Sequence, residues 1–157
     1  MRPTIALPLT GGCQCAAVRY EVRSAPLALY ACHCTDCQRQ SSSAFGLSMP
    51  VPRAALEVAG PTATYTRVNA SGRTVDGHFC AACGTRLYHA PSRNPAIVNL
   101  KPGTLDDARW LRPVAHVWTG SAQAGTVLPP DTLHYARQPE KFAAIHDAWA
   151  KSGPNFA

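Results

Sequence analysis

The sequence predicts a mainly β protein. Two observations support the β class, and a third, the grouping of the cysteines, supports zinc binding. Fourteen prolines and eleven glycines among 157 residues interrupt the apolar stretches, which leaves little room for long helices. Several of these stretches are short and alternate apolar with polar side chains, as half-buried strands do. Seven cysteines fall in three tight groups, at positions 13 and 15, at 32, 34 and 37, and at 80 and 83. At this length we expect a single zinc-binding domain over residues 1–157, with a substantial core.

The local pattern predicts the strands in chain order. VRYEVR alternates, with Val18, Tyr20 and Val22 on one face, and should follow the turn that carries the first cysteine pair. The apolar run LALYACHC leads into the cysteine trio, and TDCQRQS favours one short helical turn. Further strands are predicted at AFGLSMP, LEVAG, TATYTRV, GRTVDGHF, TRLYHA, AIVNLKPGTL and PVAHVW.

The C-terminal segment PEKFAAIHDAWAKSG is predicted to be a true helix. Phe142, Ile145 and Trp149 recur at i, i+3 and i+7, which places them on one face. Glu140 lies near the expected start and Gly153 follows the expected end. We interpret this apolar stripe as core packing.

The cysteine spacing indicates zinc rather than disulfides. The count is odd, and cysteines one residue apart are poorly placed to bridge each other. Short loops can instead deliver two thiolates each to a tetrahedral zinc. Two zinc ions per chain are predicted. If the first pair and the last pair close one site, Cys32, Cys34 and Cys37 leave the second zinc with one open position.

A second arrangement of the ligands is compatible with the sequence. A histidine such as His33, His78 or His116 could complete the trio, and both zinc sites would then be structural. Seven cysteines and one histidine supply the eight ligands of two closed tetrahedra, so the ligand count alone does not decide between the two.

Charge and composition bear on partners and location. The formal charge is +6 with neutral cysteines, and about +3 once seven thiolates and two zinc ions are included. The arginines form no run and no aromatic array, so no nucleic-acid partner is expected. A small anionic substrate fits the dispersed arginines about as well as nucleic acid does, and a simply solvated basic surface is the alternative for any single arginine. MRPTIALPLTGG is too weakly apolar for a signal peptide, and no stretch approaches a membrane helix. We expect a cytoplasmic protein with reduced thiols.

Three segments, in this order, carry a resemblance: GGCQCAAVRYEV, YACHCTDCQRQSSSAFG and HFCAACGTRLYH. Together they resemble the glutathione-dependent formaldehyde-activating enzyme family, which includes the centromere-protein-V-like members. The later segment RPVAHVWTGSAQAGTVLPPDTLHYARQP is similar to that family's ending. One C-x-x-C alone would be weak evidence, but the ordered set of C-x-C, C-x-C-x-x-C and C-x-x-C is specific.

The resemblance implies a β-tent fold, in which sheets of short antiparallel strands meet along an edge and zinc ties them together. It also assigns the ligands. Cys13, Cys15, Cys80 and Cys83 match the structural zinc ligands, and Cys32, Cys34 and Cys37 match the ligands of a catalytic zinc. The sequence departs from the family where Ala16 and Ser42 stand in place of glycine.

Three thiolates make zinc a weak Lewis acid but suit it to a fourth soft ligand, a substrate thiol. In family terms the activity is that of a carbon–sulfur lyase. Its substrates would be glutathione or a related small thiol and formaldehyde or a related small aldehyde, joined as an S-hydroxymethyl adduct or released from one. The alternative is a non-catalytic zinc β-tent that serves as a binding module.

Residues beside the trio are the candidate substrate contacts. Arg39 could meet a carboxylate, or could instead pair with Asp36. His33 is either a proton carrier or an ordinary surface or core histidine. The serines could bind substrate or simply form a turn. The predicted substrate-binding set is Gln38, Arg39, Ser41 and Ser42.

Overall fold

A computed structural model describes residues 2–69 and 72–157 of the chain. The described residues form thirteen strands in three sheets, two α-helices and three 3₁₀ turns, so the mainly β prediction is confirmed. The strands are β1 Thr4–Ile5, β2 Leu9–Gly12, β3 Arg19–Val22, β4 Tyr30–Cys32, β5 Gly46–Pro52, β6 Leu56–Ala59, β7 Thr62–Val68, β8 Thr74–Cys80, β9 Arg86–Pro91, β10 Ile97–Leu100, β11 Ala115–Val117, β12 Leu133–Tyr135 and β13 Asn155–Phe156. The helices are α1 Thr35–Ser41 and α2 Ala143–Ser152, and the 3₁₀ turns are Arg53–Ala55, Pro102–Thr104 and Thr119–Ser121.

The largest sheet has eight strands in the order β12-β11-β4-β5-β10-β9-β8-β7. Its neighbours are antiparallel except for β4 with β11 and β11 with β12, which pair in parallel. The prediction of antiparallel strands is therefore incomplete. Parallel neighbours need a long crossover, and residues 33–114 and 118–132 provide the two connections.

Two smaller sheets complete the fold. One has the order β2-β3-β6, and the other is the parallel pair β1 and β13. The alternation predicted around β3 is confirmed, because Val18, Tyr20 and Val22 are all buried. β1, β2, β12 and β13 were not predicted, since segments of two to four residues are too short to display a period of two.

The core lies where apolar side chains of the sheets meet α2. Ile145 and Trp149 are buried as the helical stripe predicts, and the indole Nε1 of Trp149 donates to the carbonyl of Pro26 at 3.0 Å. Phe142 immediately precedes the helix and packs against the ring of Tyr30 at 5.5 Å. Burial of each large aliphatic side chain contributes about 1.5–3 kcal/mol. The largest fully buried ones include Leu29, Met49, Val51, Leu87, Val98, Leu100 and Ile145.

Helix α2 is too short to cross a bilayer, and no other helix in residues 2–69 and 72–157 has the length and hydropathy to do so. α1 is shorter still and begins beside the cysteine trio. Its N-cap is Cys34, whose Sγ accepts from the backbone N–H of Cys37 at 3.4 Å. A sulfur of the trio thus caps the helix that carries another member of the trio.

Both positions at which the sequence departs from the family's glycine have left-handed backbone. Ala16 has φ 63° and Ser42 has φ 51°. Glycine is favoured there because a Cβ costs about 1–2 kcal/mol in this region. Ser42 ends α1, where its N–H donates to the carbonyl of Gln38. The departures therefore introduce local strain into turns that the fold retains.

We predict that Ala16→Gly stabilises the protein. Relief of the left-handed strain exceeds the entropy that glycine adds to the unfolded chain, so the free energy of unfolding should rise by about 0.5–1 kcal/mol. Urea denaturation in the presence of zinc would measure it. The matched control is Ala17→Gly, at an exposed neighbour whose φ is not positive, and it should lower stability by a similar amount. Equal effects of the two changes would contradict the argument.

Candidate metal centres

The first and last cysteine pairs converge into one cluster. The Sγ atoms of Cys13, Cys15, Cys80 and Cys83 all lie within 4.8 Å of one another. Cys13 and Cys15 are 3.5 Å apart, and Cys15 and Cys80 are 3.8 Å apart. Sulfurs bound tetrahedrally to zinc at about 2.3 Å are separated by about 3.8 Å. The four thiols therefore fit a tetrahedral zinc.

Backbone groups shape the two turns that supply these sulfurs. The N–H of Val18 donates to Cys13 Sγ at 3.2 Å. In the second turn Gly84 has φ +74°, and its N–H donates to the carbonyl of Cys80 at 2.9 Å. The N–H of Gln14 donates to the Thr85 hydroxyl at 3.2 Å and joins the two turns directly.

The four thiols differ in their readiness to ionise. Hydrogen bonds from the hydroxyl and backbone of Thr85 lower the pKa of Cys83 to about 5. A backbone hydrogen bond from Ala17 also favours ionised Cys15, but the neighbouring sulfurs of Cys13 and Cys83 raise the pKa of Cys15 to about 11. A thiol that donates a hydrogen bond to a neighbouring thiolate is held in its protonated form, and a bound cation would displace that proton.

The remaining three cysteines form a second cluster. The Sγ atoms of Cys32, Cys34 and Cys37 also lie within 4.8 Å of one another. Cys32 ends β4, Cys34 caps α1 and Cys37 lies in its first turn. The side chains of Cys34 and Cys37 raise the pKa of Cys32, whereas those of Cys32 and Cys37 lower the pKa of Cys34 to about 2. As in the first cluster, three thiolates need a cation to be ionised together.

The histidines considered as a fourth ligand lie elsewhere. In the described part of the chain, no histidine nitrogen belongs to the sulfur group of the trio. His33 Nε2 is 2.9 Å from His116 Nδ1, so these two buried rings are hydrogen-bonded to each other. Burial lowers the pKa of both, to about 4 for His116. His78 stacks on Tyr88 with ring centroids 4.3 Å apart.

Two of the predicted substrate residues are engaged in internal hydrogen bonds. The amide of Gln38 donates to the carbonyls of His33 at 2.7 Å and Ser121 at 2.8 Å, which ties the trio's loop to a 3₁₀ turn. The hydroxyl of Ser41 lies 2.8 Å from the carbonyl of Cys37 and 3.0 Å from that of Phe45. These bonds position the trio, and contact of either residue with substrate stays a prediction.

The other two predicted substrate residues are on the surface. Arg39 and Ser42 are both exposed. Arg39 does not pair with Asp36, because Asp36 Oδ2 accepts from the guanidinium of Arg67 at 2.6 Å. Arg67 belongs to β7, the outermost strand of the large sheet, and its side chain is only 19% exposed. This ion pair fastens α1 to the sheet.

A cavity of about 690 Å³ opens beside the trio, and Cys37 is part of its wall. We call it the arginine cavity. Arg93 and Arg137 line it, are exposed and have no carboxylate partner among the described residues. Sequence reasoning missed both arginines because neither is near a cysteine in the chain. Its other arginine and histidine lining residues are Arg67, Arg73, His89 and His146.

Trp118 also lines the arginine cavity and has a strained backbone. Its φ of 59° and ψ of 36° are rare for a bulky side chain. The indole Nε1 donates to Gln138 Oε1 at 3.0 Å, and the backbone N–H of Trp118 donates to the carbonyl of Arg137. Strain of this kind concentrates at functional sites. No sequence signal identifies it.

A second cavity, of about 420 Å³, lies between the two cysteine clusters. Its wall includes Cys37, the turn from Cys83 to Thr85, Lys101 and the 3₁₀ turn Pro102–Thr104. We call it the lysine cavity. Cys37 is the one described residue that lines both cavities.

Comparison with known proteins identifies the family. The family model for glutathione-dependent formaldehyde-activating enzyme matches residues 8–121, which contain all seven cysteines. The chain belongs to this family. A crystal structure of a Rhodobacter sphaeroides protein from a structural genomics programme is similar in fold to this member, with a TM-score of 0.52. The two are 19% identical, and the match covers 81% of this chain and 99% of that one.

We predict that freshly purified protein contains two zinc ions per chain, measured by elemental analysis. A chelator should remove the metal of the trio first, because that site has three protein ligands instead of four. Prior alkylation of the thiols in denatured protein provides the zinc-free control. A single tightly held zinc, or loss of both ions at one rate, would contradict two separate clusters.

We predict different outcomes for serine substitution in the two clusters. Cys80 is fully buried and its cluster joins segments far apart in sequence, so Cys80→Ser should lower the free energy of unfolding by on the order of 4 kcal/mol. Cys37→Ser should leave a folded domain with a smaller loss. Calorimetry of both zinc-loaded variants would test this, and equal losses would indicate that the two metals contribute equally to stability.

Proposed function

We propose that this protein is a zinc-dependent carbon–sulfur lyase. Its substrates would be glutathione or a related small thiol and formaldehyde or a related aldehyde, joined in or released from an S-hydroxymethyl adduct. Cys32, Cys34 and Cys37 would hold the catalytic zinc, and the four-cysteine cluster would hold a structural one. We also propose that it acts in the cytoplasm, where thiols stay reduced.

The observation that carries the proposal is a three-sulfur cluster with one member on a cavity wall. A zinc held by three protein ligands keeps a coordination position for substrate, whereas four ligands close the site. The trio has three sulfurs and no histidine in its group, and Cys37 borders the arginine cavity. The volume of the arginine cavity, about 690 Å³, is within the usual range for small-molecule sites.

Zinc, when bound by the trio, would lower the pKa of a substrate thiol so that it reacts as thiolate near neutral pH. The residues of the chain supply binding and orientation. Arg93 and Arg137 offer guanidinium groups to the carboxylates of a peptide thiol, and neither has a carboxylate partner among the described residues. Gln38 and Ser41 hold the cysteine loop in place through backbone carbonyls.

The reaction itself needs no further reactant. In the forward direction the thiol sulfur bonds to the carbonyl carbon, the carbonyl π electrons move to oxygen, and the proton lost by sulfur ends on that oxygen. The reverse direction breaks the carbon–sulfur bond. We further propose that Gln38, Arg39, Ser41 and Ser42 contribute to the substrate site, Arg39 and Ser42 from its exposed rim.

We predict that the zinc-loaded protein accelerates the exchange between glutathione, formaldehyde and S-hydroxymethylglutathione without altering their equilibrium. Exchange spectroscopy by NMR against the uncatalysed background would measure this. The acceleration should disappear in Cys37→Ser. Absence of acceleration with any thiol and aldehyde, in protein that contains both zinc ions, would favour a non-catalytic binding module.

Paired arginine variants sharpen this experiment. Arg137→Gln should raise KM for glutathione about 10-fold or more, because a charge-assisted hydrogen bond contributes about 1.5–3 kcal/mol. The matched control is Arg109→Gln. Arg109 is exposed, has Asp107 as its one ion-pair partner in the described part of the chain and lines neither cavity, so its loss should leave KM unchanged. Equal KM values for the two variants would remove the arginine cavity from the proposed thiol site.

A further inference from the structure

The lysine cavity reaches the trio from a different direction than the arginine cavity does. The two share Cys37 and no other described residue. Strand β5 separates them, with Gly46 and Leu47 lining the lysine cavity and Ser48 and Pro50 lining the arginine cavity. A reaction that joins two molecules at one sulfur-rich centre needs an approach for each of them.

Gly46 makes Cys37 approachable from the lysine cavity. It is the first residue of β5, and a Cβ added there would lie 3.3 Å from Cys37 Cβ and 3.8 Å from Cys37 Sγ. A side chain at this position would therefore press on Cys37 Cβ and cover Cys37 Sγ by van der Waals contact. Glycine leaves that space free.

Lys101 is a cationic residue of the lysine cavity, and its charge interacts with the thiolates of the trio. Its ammonium makes two long contacts, both 3.4 Å, with the carbonyl of Leu47 and the hydroxyl of Ser48. It has no carboxylate partner among the described residues. Desolvation lowers the pKa of Lys101, and the negative charge of Cys37 and its two neighbours opposes this. An ammonium so placed keeps donor capacity for a ligand.

The wall of the lysine cavity contains a second polar group that has unused hydrogen-bonding capacity. Gln40 lines the cavity, and its buried Oε1 has no hydrogen-bond partner in the structure. A buried acceptor without a partner costs about 1–3 kcal/mol, and a hydroxyl such as that of an S-hydroxymethyl adduct could donate to it.

We propose that the lysine cavity binds the aldehyde and that Lys101 donates a hydrogen bond to its carbonyl oxygen. This inference rests on the proposed function and extends it to the second substrate. The thiol would enter through the arginine cavity, and the two would meet at Cys37. As the carbon–sulfur bond forms, negative charge develops on the carbonyl oxygen, and the ammonium stabilises it until the proton lost by the thiol arrives there.

The cavity volume also defines the class of aldehyde. Formaldehyde has two heavy atoms and is little larger than a water molecule, which occupies about 30 Å³ in the liquid. A cavity of about 420 Å³ is much larger than that. We therefore infer that aldehydes of two or more carbons, such as glycolaldehyde and glyoxylate, are accepted alongside formaldehyde.

Steady-state kinetics of the zinc-loaded full chain, with glutathione saturating and the aldehyde varied, tests the role of Lys101. Lys101→Met should lower kcat/KM for the aldehyde about 100-fold and leave KM for glutathione unchanged, and Lys101→Arg should restore part of the loss. The control is Lys141→Met at an exposed lysine outside both cavities, which should behave as wild type. A change in glutathione KM alone, or loss of zinc from Lys101→Met, would overturn the role and assign Lys101 to thiol binding or to charge balance.

Gly103 gives an independent test of the cavity itself. It lines the lysine cavity, and a Cβ added there would meet no atom within 4 Å, so Gly103→Leu should fold normally. For wild type, acceleration over background with glycolaldehyde should be within about tenfold of that with formaldehyde. Gly103→Leu should shift this ratio at least about tenfold towards formaldehyde. An unchanged ratio would contradict aldehyde binding in this cavity.

A third measurement separates failure of this inference from failure of the proposed function, because it needs no turnover. Glyoxylate with cyanoborohydride alkylates lysine amines, and peptide mass spectrometry reports each site. Labelling of Lys101 should saturate with glyoxylate and fall in Gly103→Leu, whereas labelling of Lys141 should rise linearly. Saturation in a protein without lyase activity would support the aldehyde site and reject the reaction. Linear labelling of Lys101 in an active protein would reject the site alone.

Discussion

The crowding of seven thiols at the ends of three strands is the constraint on which the rest of the structure depends. Sulfurs 3.5–3.8 Å apart cannot all be ionised without a cation between them. Accordingly, the neighbouring sulfurs raise the pKa of Cys15, whereas hydrogen bonds from Thr85 lower the pKa of Cys83. Metal binding would therefore supply folding free energy, and in the four-cysteine cluster it would link the β2–β3 turn to the β8–β9 turn. Residues of both turns also form part of the wall of the lysine cavity.

The parts of the fold that the sequence could predict are those with local causes. The alternation of Val18, Tyr20 and Val22 depends on which face of β3 is buried, and the stripe containing Ile145 and Trp149 depends on the helical repeat. Neither needs information about distant residues. The parallel pairing of β4 with β11 does, because nothing in either short strand specifies a partner more than eighty residues away. Two-residue strands such as β1 likewise exist only through their tertiary partners.

The candidate site likewise has parts with local causes, which the sequence predicts, and parts that depend on tertiary structure. Cysteine spacing is a local property, so two clusters could be predicted from it and are found. The residues around them are brought together by sheet order. Lys101 lies in the wall of the lysine cavity with Cys37 because β10 pairs with β5, and Arg137 reaches the arginine cavity from the far end of the chain. Proximity in sequence was also misleading about Arg39, since its neighbour Asp36 pairs with Arg67 of β7 instead.

The ion pair between Arg67 and Asp36 connects the free edge of the large sheet to the helix that carries part of the cysteine trio. β7 has a neighbour on one side only, and the free edge of a sheet is where pairing with other chains begins. Helix α1 carries Cys37, so a metal bound by the trio would order this helix and would also hold in place the carboxylate of Asp36 that anchors the edge strand. Oxidation or demetallation of the trio would thus loosen the outermost strand. Aggregation of stored protein would begin at the sheet margin, a considerable distance along the chain from the chemical damage that caused it.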